Sequence, residues 1–234
     1  MSGPPVVAIA GAAGGLGPFV ARRFAQDGAT LALGGRSLER LTALAGELEL
    51  PEDRVDARAV DLLDEGATRG WAQALLDRFG RVDALLHLVG GWRGGSPIDE
   101  APLSDAEALH DSLVRTLQHT SRAFRAPLIA SGRGRFAMIG AKAAVHPTSA
   151  NAAYGAAKAA AEAWTFALAD SFAGAPATAN VVAINAVLTP GMRAADPEKP
   201  FKTFTDAADV AAALAYLCSD AARSMNGRRV ILHP

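Results

Sequence analysis

Tyr154 and Lys158 stand four residues apart in an Ala-rich stretch, Gly140 to Trp164, that carries no glycine or proline after Gly155. On a helix, side chains at i and i+4 lie one above the other, so the phenol and the ammonium share a face. A free phenol is a weak acid near neutral pH, with a pKa of about 10. A nearby positive charge favours the phenolate, lowers that value and makes the hydroxyl a usable proton donor or acceptor. Ala-rich helices also carry such pairs by chance, so the rest of the chain has to supply the setting for acid–base chemistry.

A second chemical signal is the cluster Gly11-Ala12-Ala13-Gly14-Gly15-Leu16-Gly17, set between a short apolar run and a helical pattern. Glycines let the backbone turn sharply and approach a pyrophosphate, while a helix N-terminus adds N–H groups and positive dipole. An ordinary strand-to-helix turn can also be glycine-rich. The position between the first strand and first helix of a βαβ unit favours dinucleotide binding. The end of the second strand then bears on which dinucleotide. An NAD site puts a carboxylate on the ribose about 20 residues past the glycines. Here the chain reads Gly34-Gly35-Arg36-Ser37, with no carboxylate before Glu39. Arg36 suits a 2′-phosphate, bidentately, and can stack on adenine. NADP(H) is therefore preferred, with NAD(H) as the alternative, and the plain reading of Arg36 is a solvated arginine at a helix start.

The hydrophobic pattern predicts the frame for these residues. Strands are expected at Val6–Ala10, Thr30–Leu33, Arg54–Asp61, Val82–Val89, Phe136–Ile139, Ala179–Val187 and Arg229–Leu232. Helices are expected from about Leu16 to Asp27, at Leu38–Leu48, Ala67–Phe79 and Ala207–Leu217, with one long helix at Asp105–Ala130 and the Tyr/Lys helix. Arg54–Asp61 alternates as an edge strand should, whereas Val82–Val89 is nearly all apolar, as a central strand covered on both faces should be. Strand and helix in alternation predict an α/β fold, a doubly wound parallel sheet, in a single domain over residues 1–234. Ligands of such sheets bind beyond the carboxyl ends of the strands. The Pro/Gly-containing stretches Gly90–Pro102 and Leu188–Pro200 follow strand ends, so segments 90–102 and 188–205 are the expected substrate loops.

Half of the 234 residues are apolar, and a net charge of −1 is spread over interspersed charges of both signs. That composition predicts a large core and neither a nucleic-acid nor a membrane partner. Cys218, the one cysteine, cannot form an internal disulfide and reads as a small buried hydrophobe. Val6–Ala10 is too short for a signal peptide or a membrane span, so a soluble, cytoplasmic protein is expected. His87 lies inside a strand and reads as a hydrogen-bonded interior imidazole. His110, His119 and His146 are scattered, and no Cys/His/carboxylate spacing predicts a metal site.

Jointly, Gly-x-x-x-Gly-x-Gly at Gly11–Gly17, Asp61-Leu62 after the third strand and Tyr-x-x-x-Lys at Tyr154–Lys158 resemble the short-chain dehydrogenase/reductases. The likeness runs from the first strand to Ser219-Asp220-Ala221 and Gly227 before the last. It implies a Rossmann-type seven-stranded parallel sheet in three α/β/α layers, and an NAD(P)-dependent oxidoreductase acting on a small molecule. By this resemblance Gly11, Gly14, Gly15, Leu16 and Gly17 hold the cofactor with Arg36 and Ser37. Asp61 and Leu62 would lie at the adenine, Val89 and Gly90 near the ribose, and Thr189 near the nicotinamide amide. Tyr154 would be the acid/base, and Lys158 would hold the nicotinamide ribose while lowering the tyrosine pKa. A homodimer or homotetramer would form through the helices Asp105–Ala130 and Asn151–Phe172.

The departures narrow the reading. The family's serine, thirteen residues before the tyrosine, is Ala141, and its helix asparagine falls on Leu113 when Asp111-Ser112-Leu113-Val114-Arg115 is aligned. Losing one donor to a developing oxyanion costs about 3–4 kcal/mol of transition-state stabilisation. Val89-Gly90-Gly91-Trp92-Arg93-Gly94-Gly95 and Gly140-Ala141-Lys142-Ala143-Ala144 are similar to the dihydropteridine-reductase-like branch, which also has alanine at that position. Its quinonoid substrate spreads the incoming charge over nitrogens, so the missing donor matters less. Trp92, Ala141 and Met192 are the expected substrate contacts, Trp92 offering a flat face to a pterin-like ring. The expected function is NADP(H)-dependent hydride transfer to a small quinonoid or carbonyl substrate. The alternatives are a general carbonyl or 3-oxoacyl-type reductase and a catalytically silent NADP(H)-binding sensor.

Overall fold

The computed structural model describes residues 3–233, in which strands and helices alternate from Val6 onward. The order is β1 (Val6–Ala10), α1 (Gly17–Gln26), β2 (Thr30–Gly35), α2 (Leu38–Glu47), β3 (Val55–Ala59), α3 (Glu65–Phe79) and β4 (Ala84–His87). Then come α4 (Leu103–His110), α5 (Thr116–Ala130), β5 (Gly134–Ala141), α6 (Ala152–Asp170) and β6 (Ala177–Ile184). The chain ends with β7 (Ala186–Leu188), α7 (Pro190–Ala195), β8 (Phe204–Asp206), α8 (Ala207–Cys218) and β9 (Arg229–Ile231).

Seven strands form one parallel sheet in the order β3-β2-β1-β4-β5-β6-β9. The expected doubly wound, three-layer fold is present, with Val55–Ala59 at one edge as its alternation predicts. Successive strand residues face opposite sides of a sheet, and that alternation divides the core in two. Val7, Ile9, Leu31, Leu33, Ala84 and Leu86 join one cluster with residues of α1, α2 and α8. Ala8, Ala10, Ala32, Leu85, Phe136 and Met138 join the other with residues of α3, α5 and α6. Trp71 on α3 fills the second, edge-on to Phe124 at 4.9 Å between centroids.

Chain direction across the sheet reverses between β1 and β4, where two loops diverge and leave a crevice beyond the strand ends. Local signals fix where helices begin. Ser37 caps α2 by accepting from Arg40 N at 3.3 Å, and Asp64 caps α3 by accepting from Ala67 N at 2.9 Å. The Asp64 cap starts α3 at Glu65, earlier than the apolar pattern predicts.

Three expectations need correction. The helix expected over Asp105–Ala130 is α4 and α5 joined by a π-helical turn at Asp111–Arg115, where Thr116 Oγ1 donates to the Ser112 carbonyl at 2.7 Å. The strand expected over Ala179–Val187 is broken at Asn185, whose side-chain amide donates to Thr203 Oγ1 at 3.1 Å. Its far half, β7, pairs with β8 in a separate two-stranded parallel sheet. Segment 188–205 is consequently not a plain loop; it holds α7, capped by Thr189 Oγ1 accepting from Met192 N at 3.2 Å, and part of β8. Among the described residues, no helix is long and apolar enough to cross a membrane. Cys218 is half-buried and packs on the first core cluster.

Gly17 is the tightest point of the β1–α1 turn, because a Cβ there would stand 1.9 Å from the Ala12 carbonyl oxygen. Backbone cannot swing aside as a side chain does. Gly17→Ala is expected to lower stability by about 3 kcal/mol, read from the urea unfolding midpoint, and a change within about 0.5 kcal/mol would show that the turn relaxes at little cost.

Candidate functional site

A cleft of about 560 Å³ opens beyond the carboxyl ends of β1, β2 and β4. Its floor is backbone brought unusually close. Gly11 has φ +83°, and a Cβ on it would lie 2.9 Å from Val89 N. The N–H groups of Gly11 and Ala12 both donate to the Gly34 carbonyl, at 2.9 and 3.1 Å, which ties the glycine turn to the end of β2. Leu16 is the N-cap residue of α1 and offers no capping side chain, so the positive end of that helix faces the turn without a side-chain acceptor of its own.

Two guanidiniums stand at the β2 end of the cleft. Arg36 follows β2, and Arg40 lies one helical turn further on α2, its Nη2 donating to the Ala13 carbonyl. The carboxylate in the cleft lining is Asp61, and its Oδ1 is occupied by the Leu63 N–H at 2.9 Å. That end of the cleft therefore favours an anion. Gly11, Gly14, Arg36, Ser37, Asp61, Leu62, Val89 and Gly90, all named as candidates from the sequence, line this one cleft. Arg40, Ser112 and Thr116 line it too and were not anticipated. Arg40 was legible as the residue four after Arg36; Ser112 and Thr116 are brought in by the π-turn, which has no sequence signature.

Tyr154 and Lys158 share one face of α6, with Lys158 Nζ 6.0 Å from the centroid of the Tyr154 ring. Neither is part of the cleft lining. Small residues let α6 reach this position: a Cβ on Gly155 would stand 2.8 Å from the Ala143 carbonyl oxygen. Lys158 is 5% exposed and donates to the Ile139 carbonyl of β5 at 2.9 Å. Burial pulls its ammonium down from 10.5 to about 8, with the Glu162 carboxylate acting the other way. Tyr154, half-buried against Leu109, Leu113 and Val114, has its pKa raised above 10 by burial and secondarily by Glu162. The expected lowering of the phenol pKa by Lys158 is thus reversed in this fold. The ammonium is bonded to a strand carbonyl, and desolvation of the phenolate outweighs its attraction.

Ala141, at the serine position of the resemblance, is 2% exposed at the end of β5. Its N–H donates to Glu162 Oε1 at 3.2 Å, and its carbonyl accepts from Arg229 Nη2 at 2.9 Å. Leu113, at the asparagine position, is buried in the apolar cluster beside Tyr154. His87 is 2% exposed, as an interior imidazole should be, with Nδ1 3.0 Å from Thr120 Oγ1 and Nε2 3.4 Å from Thr116 Oγ1. Burial holds its pKa down near 3, helped by the Lys158 ammonium, so the ring is neutral at physiological pH.

The remaining sequence-derived candidates lie outside the cleft. Gly15 is exposed with open space above it, and Leu16 and Gly17 begin α1. Trp92 is 62% exposed on segment 90–102, which is tied to the start of α6 by Gly95 N donating to the Ala150 carbonyl at 2.8 Å. Thr189 and the exposed Met192 sit on the first turn of α7. Among the described residues, no group of three or more His, Cys, Asp or Glu side chains is placed to hold a metal ion.

A family model described as enoyl-(acyl carrier protein) reductase matches residues 11–232. Sulfoacetaldehyde reductase 2 of Chromohalobacter salexigens is 34% identical over 162 residues, 69% of this chain and 64% of that protein. The NADP-dependent 3-hydroxy acid dehydrogenase YdfG of Salmonella typhi is 30% identical over 154 residues, 66% of this chain and 61% of that protein. The matched segment thus spans less than two thirds of the length of either relative. The NADPH-bound short-chain oxidoreductase of Pseudomonas aeruginosa PAO1 with an atypical catalytic center superposes with a TM-score of 0.89 at 20% identity, covering 99% of this chain and 97% of that one.

The buried ammonium makes a stability prediction. Lys158 loses its proton near pH 8 when folded and near 10.5 when unfolded. Between those values unfolding takes up a proton, so this group makes stability rise with pH through that window, and its burial penalty is complete below about pH 8. Lys158→Met should abolish that rise. Urea unfolding of both proteins at neutral pH and near pH 9 checks it, and identical pH slopes would show that Lys158 is not desolvated.

Proposed function

Because this chain belongs to the short-chain dehydrogenase/reductase family, we propose that it is an NADP(H)-dependent reductase of a small quinonoid, pterin-like or carbonyl substrate. The observation that carries this reading is the single face of α6 that brings Tyr154 and Lys158 to the carboxyl end of β5, beside a cleft ending in two guanidiniums. The residues present fit a phosphorylated dinucleotide. Arg36 and Arg40 suit a 2′-phosphate, the glycine turn suits a pyrophosphate, and the one lining carboxylate is already bonded within its own turn.

The bound dinucleotide would supply the hydride. The chain would supply the proton and the orientation. Tyr154 is a protonated phenol at neutral pH and would give that proton to the reduced substrate, although burial, by raising its pKa, makes it a weaker acid than a free phenol. Lys158 is held by the Ile139 carbonyl and remains mostly charged below about pH 8, where it can hold a ribose hydroxyl and stabilise the phenolate that is left. Trp92 on segment 90–102 and Met192 on α7 would flank the substrate, and Trp92 has a free face for a flat ring.

Ala141 favours the quinonoid substrate over a simple ketone. It has no hydroxyl, and its N–H is engaged by Glu162, so neither can bond an oxyanion. A substrate that spreads the incoming charge over a conjugated ring loses less from that absence. The sulfoacetaldehyde and 3-hydroxy acid enzymes among the relatives support a general carbonyl reductase as the second reading. Assembly as a homodimer or homotetramer through α4–α5 and α6 belongs to the same proposal.

NADPH oxidation with quinonoid dihydropterin, quinones and simple ketones tests the reading. Turnover is expected with the conjugated substrates above all, and tight NADPH binding with turnover of none would identify a silent binding protein instead. Tyr154→Phe should cut turnover by about a hundredfold or more while leaving NADPH affinity nearly intact; unchanged activity would remove Tyr154 from the chemistry. Arg36→Asp should swing preference toward NADH. Arg40→Ala should weaken NADPH binding about tenfold and spare NADH, and equal losses for both cofactors would place Arg40 in the glycine turn alone.

A further inference from the structure

Tyr154, Lys158 and Glu162 follow one another at intervals of four along α6. One helix face therefore carries a phenol, an ammonium and a carboxylate. Glu162 is 5% exposed, and both of its oxygens are engaged within the protein. Oε1 accepts from the Ala141 N–H at 3.2 Å, and Oε2 accepts from Arg229 Nε at 2.8 Å. Arg229, in the edge strand β9, closes a ring by donating through Nη2 to the Ala141 carbonyl at 2.9 Å. Gly140 is constrained by the same carboxylate, since a Cβ there would stand 2.4 Å from Glu162 Oε1.

We infer that Glu162 and Arg229 are a positioning pair for the proposed reaction, pinning the end of β5 to the reactive face of α6 and placing a negative charge where the Lys158 ammonium is dry. The inference rests on the roles proposed above for Tyr154 and Lys158. A tie between helix and strand needs no charge, because apolar residues of the same shape commonly stabilise a fold as well as a buried ion pair does. The carboxylate has a further consequence here. It keeps Lys158 charged against desolvation, and it adds to the upward push on Tyr154. Tyr154 meets Leu109, Leu113 and Val114 from the α4 side, so the titratable groups facing it are Lys158 and Glu162 of its own helix. Lys158 faces His87 from β4 in addition, and Glu162 faces Arg229 from β9.

The chain has two tyrosines, so a Tyr216→Phe background leaves Tyr154 as the one phenol to titrate by ultraviolet absorbance. In that full-length background, Glu162→Gln keeps the size of the side chain and removes its charge. The expected result is a Tyr154 titration displaced to lower pH by roughly half a unit or more, with the alkaline limb of NADPH oxidation moving the same way. Glu162→Asp, which keeps the charge, should return both curves toward those of the parent. A Tyr154 curve that stays in place in the folded variant would overturn the inference and leave the pair as a structural tie at most. Should Glu162→Gln fail to fold, the double variant Glu162→Gln/Arg229→Gln is uncharged on both sides and is expected to shift the curve the same way by less, because the opposing Arg229 charge is removed with it. The titration needs no turnover. Failure to oxidise NADPH with any of the substrates tried would end the functional reading without changing what the phenol reports about Glu162.

Discussion

An ammonium inside a protein needs a carbonyl or carboxylate to replace the water it has lost. Lys158 meets that requirement through the Ile139 carbonyl and, more distantly, the Glu162 carboxylate. Much of the surrounding architecture follows from bringing these groups within reach. α6 has to lie close to β5, and its inward face is made of small residues, with Ala161 fully buried and Ala157 nearly so. Gly140 and Gly155 are the two points at which the approach is tightest, one against Glu162 and the other against the Ala143 backbone. A larger side chain at either would push the helix off the strand and leave the ammonium without its acceptor.

The parallel sheet brings the other partners to the same place. Ile139 and Ala141 come from β5, His87 from β4, two helix residues from α6 and Arg229 from the last strand. They converge because β4, β5, β6 and β9 are consecutive neighbours, so residues 142 positions apart in the chain (229 − 87) stand at one end of one sheet. Electrostatics binds this set together. His87 stays neutral beside the ammonium, while Glu162 is shared between two cations, directly with Arg229 and at longer range with Lys158. Removing any charge from such a group leaves another uncompensated, and the low dielectric of the interior makes that expensive.

Much of this arrangement can be read from the chain, and the exceptions have physical causes. Val6–Ala10 is bounded alike by pattern and by structure, and the edge position of Val55–Ala59 follows from its alternation. The glycine turn, Arg36 and the Tyr/Lys face are local features whose spacing carries their meaning. Glu162 was equally accessible as the residue four beyond Lys158 on α6, and Arg40 as the basic residue one turn into the helix that follows Arg36. Arg229 was not, because its role depends on β9 pairing with β6, a contact that no local period encodes. The π-turn at Asp111–Arg115 was hidden because its residues continue the helical pattern on both sides. The break at Asn185 was hidden because Ala186, Val187 and Leu188 remain apolar, and it is pairing with β8 that shows them to be a separate strand. The direction of the Tyr154 shift failed for a different reason. Spacing shows that two groups are near, but burial decides which charge state the surroundings favour.

That last point bears on the chemistry. A phenol whose pKa is raised is protonated at neutral pH but is a weaker acid than a free one, so on the proposed reading the proton step leans on Lys158 to stabilise the phenolate that is left. Ala141 sets the matching constraint on the acceptor. In place of a hydroxyl it presents a methyl group, and its N–H is committed to the carboxylate that holds the strand end. On the proposed reading, charge that develops on the substrate would be met by Tyr154 or dispersed within the substrate itself. For a localised alkoxide the missing second donor would cost about 3–4 kcal/mol in the transition state, whereas a conjugated ring with several nitrogen or oxygen termini lowers that demand. The interaction that ties the strand end to α6 is thus also the one that withdraws a donor from it, and the substrate that the proposed reading favours is one able to disperse its own charge.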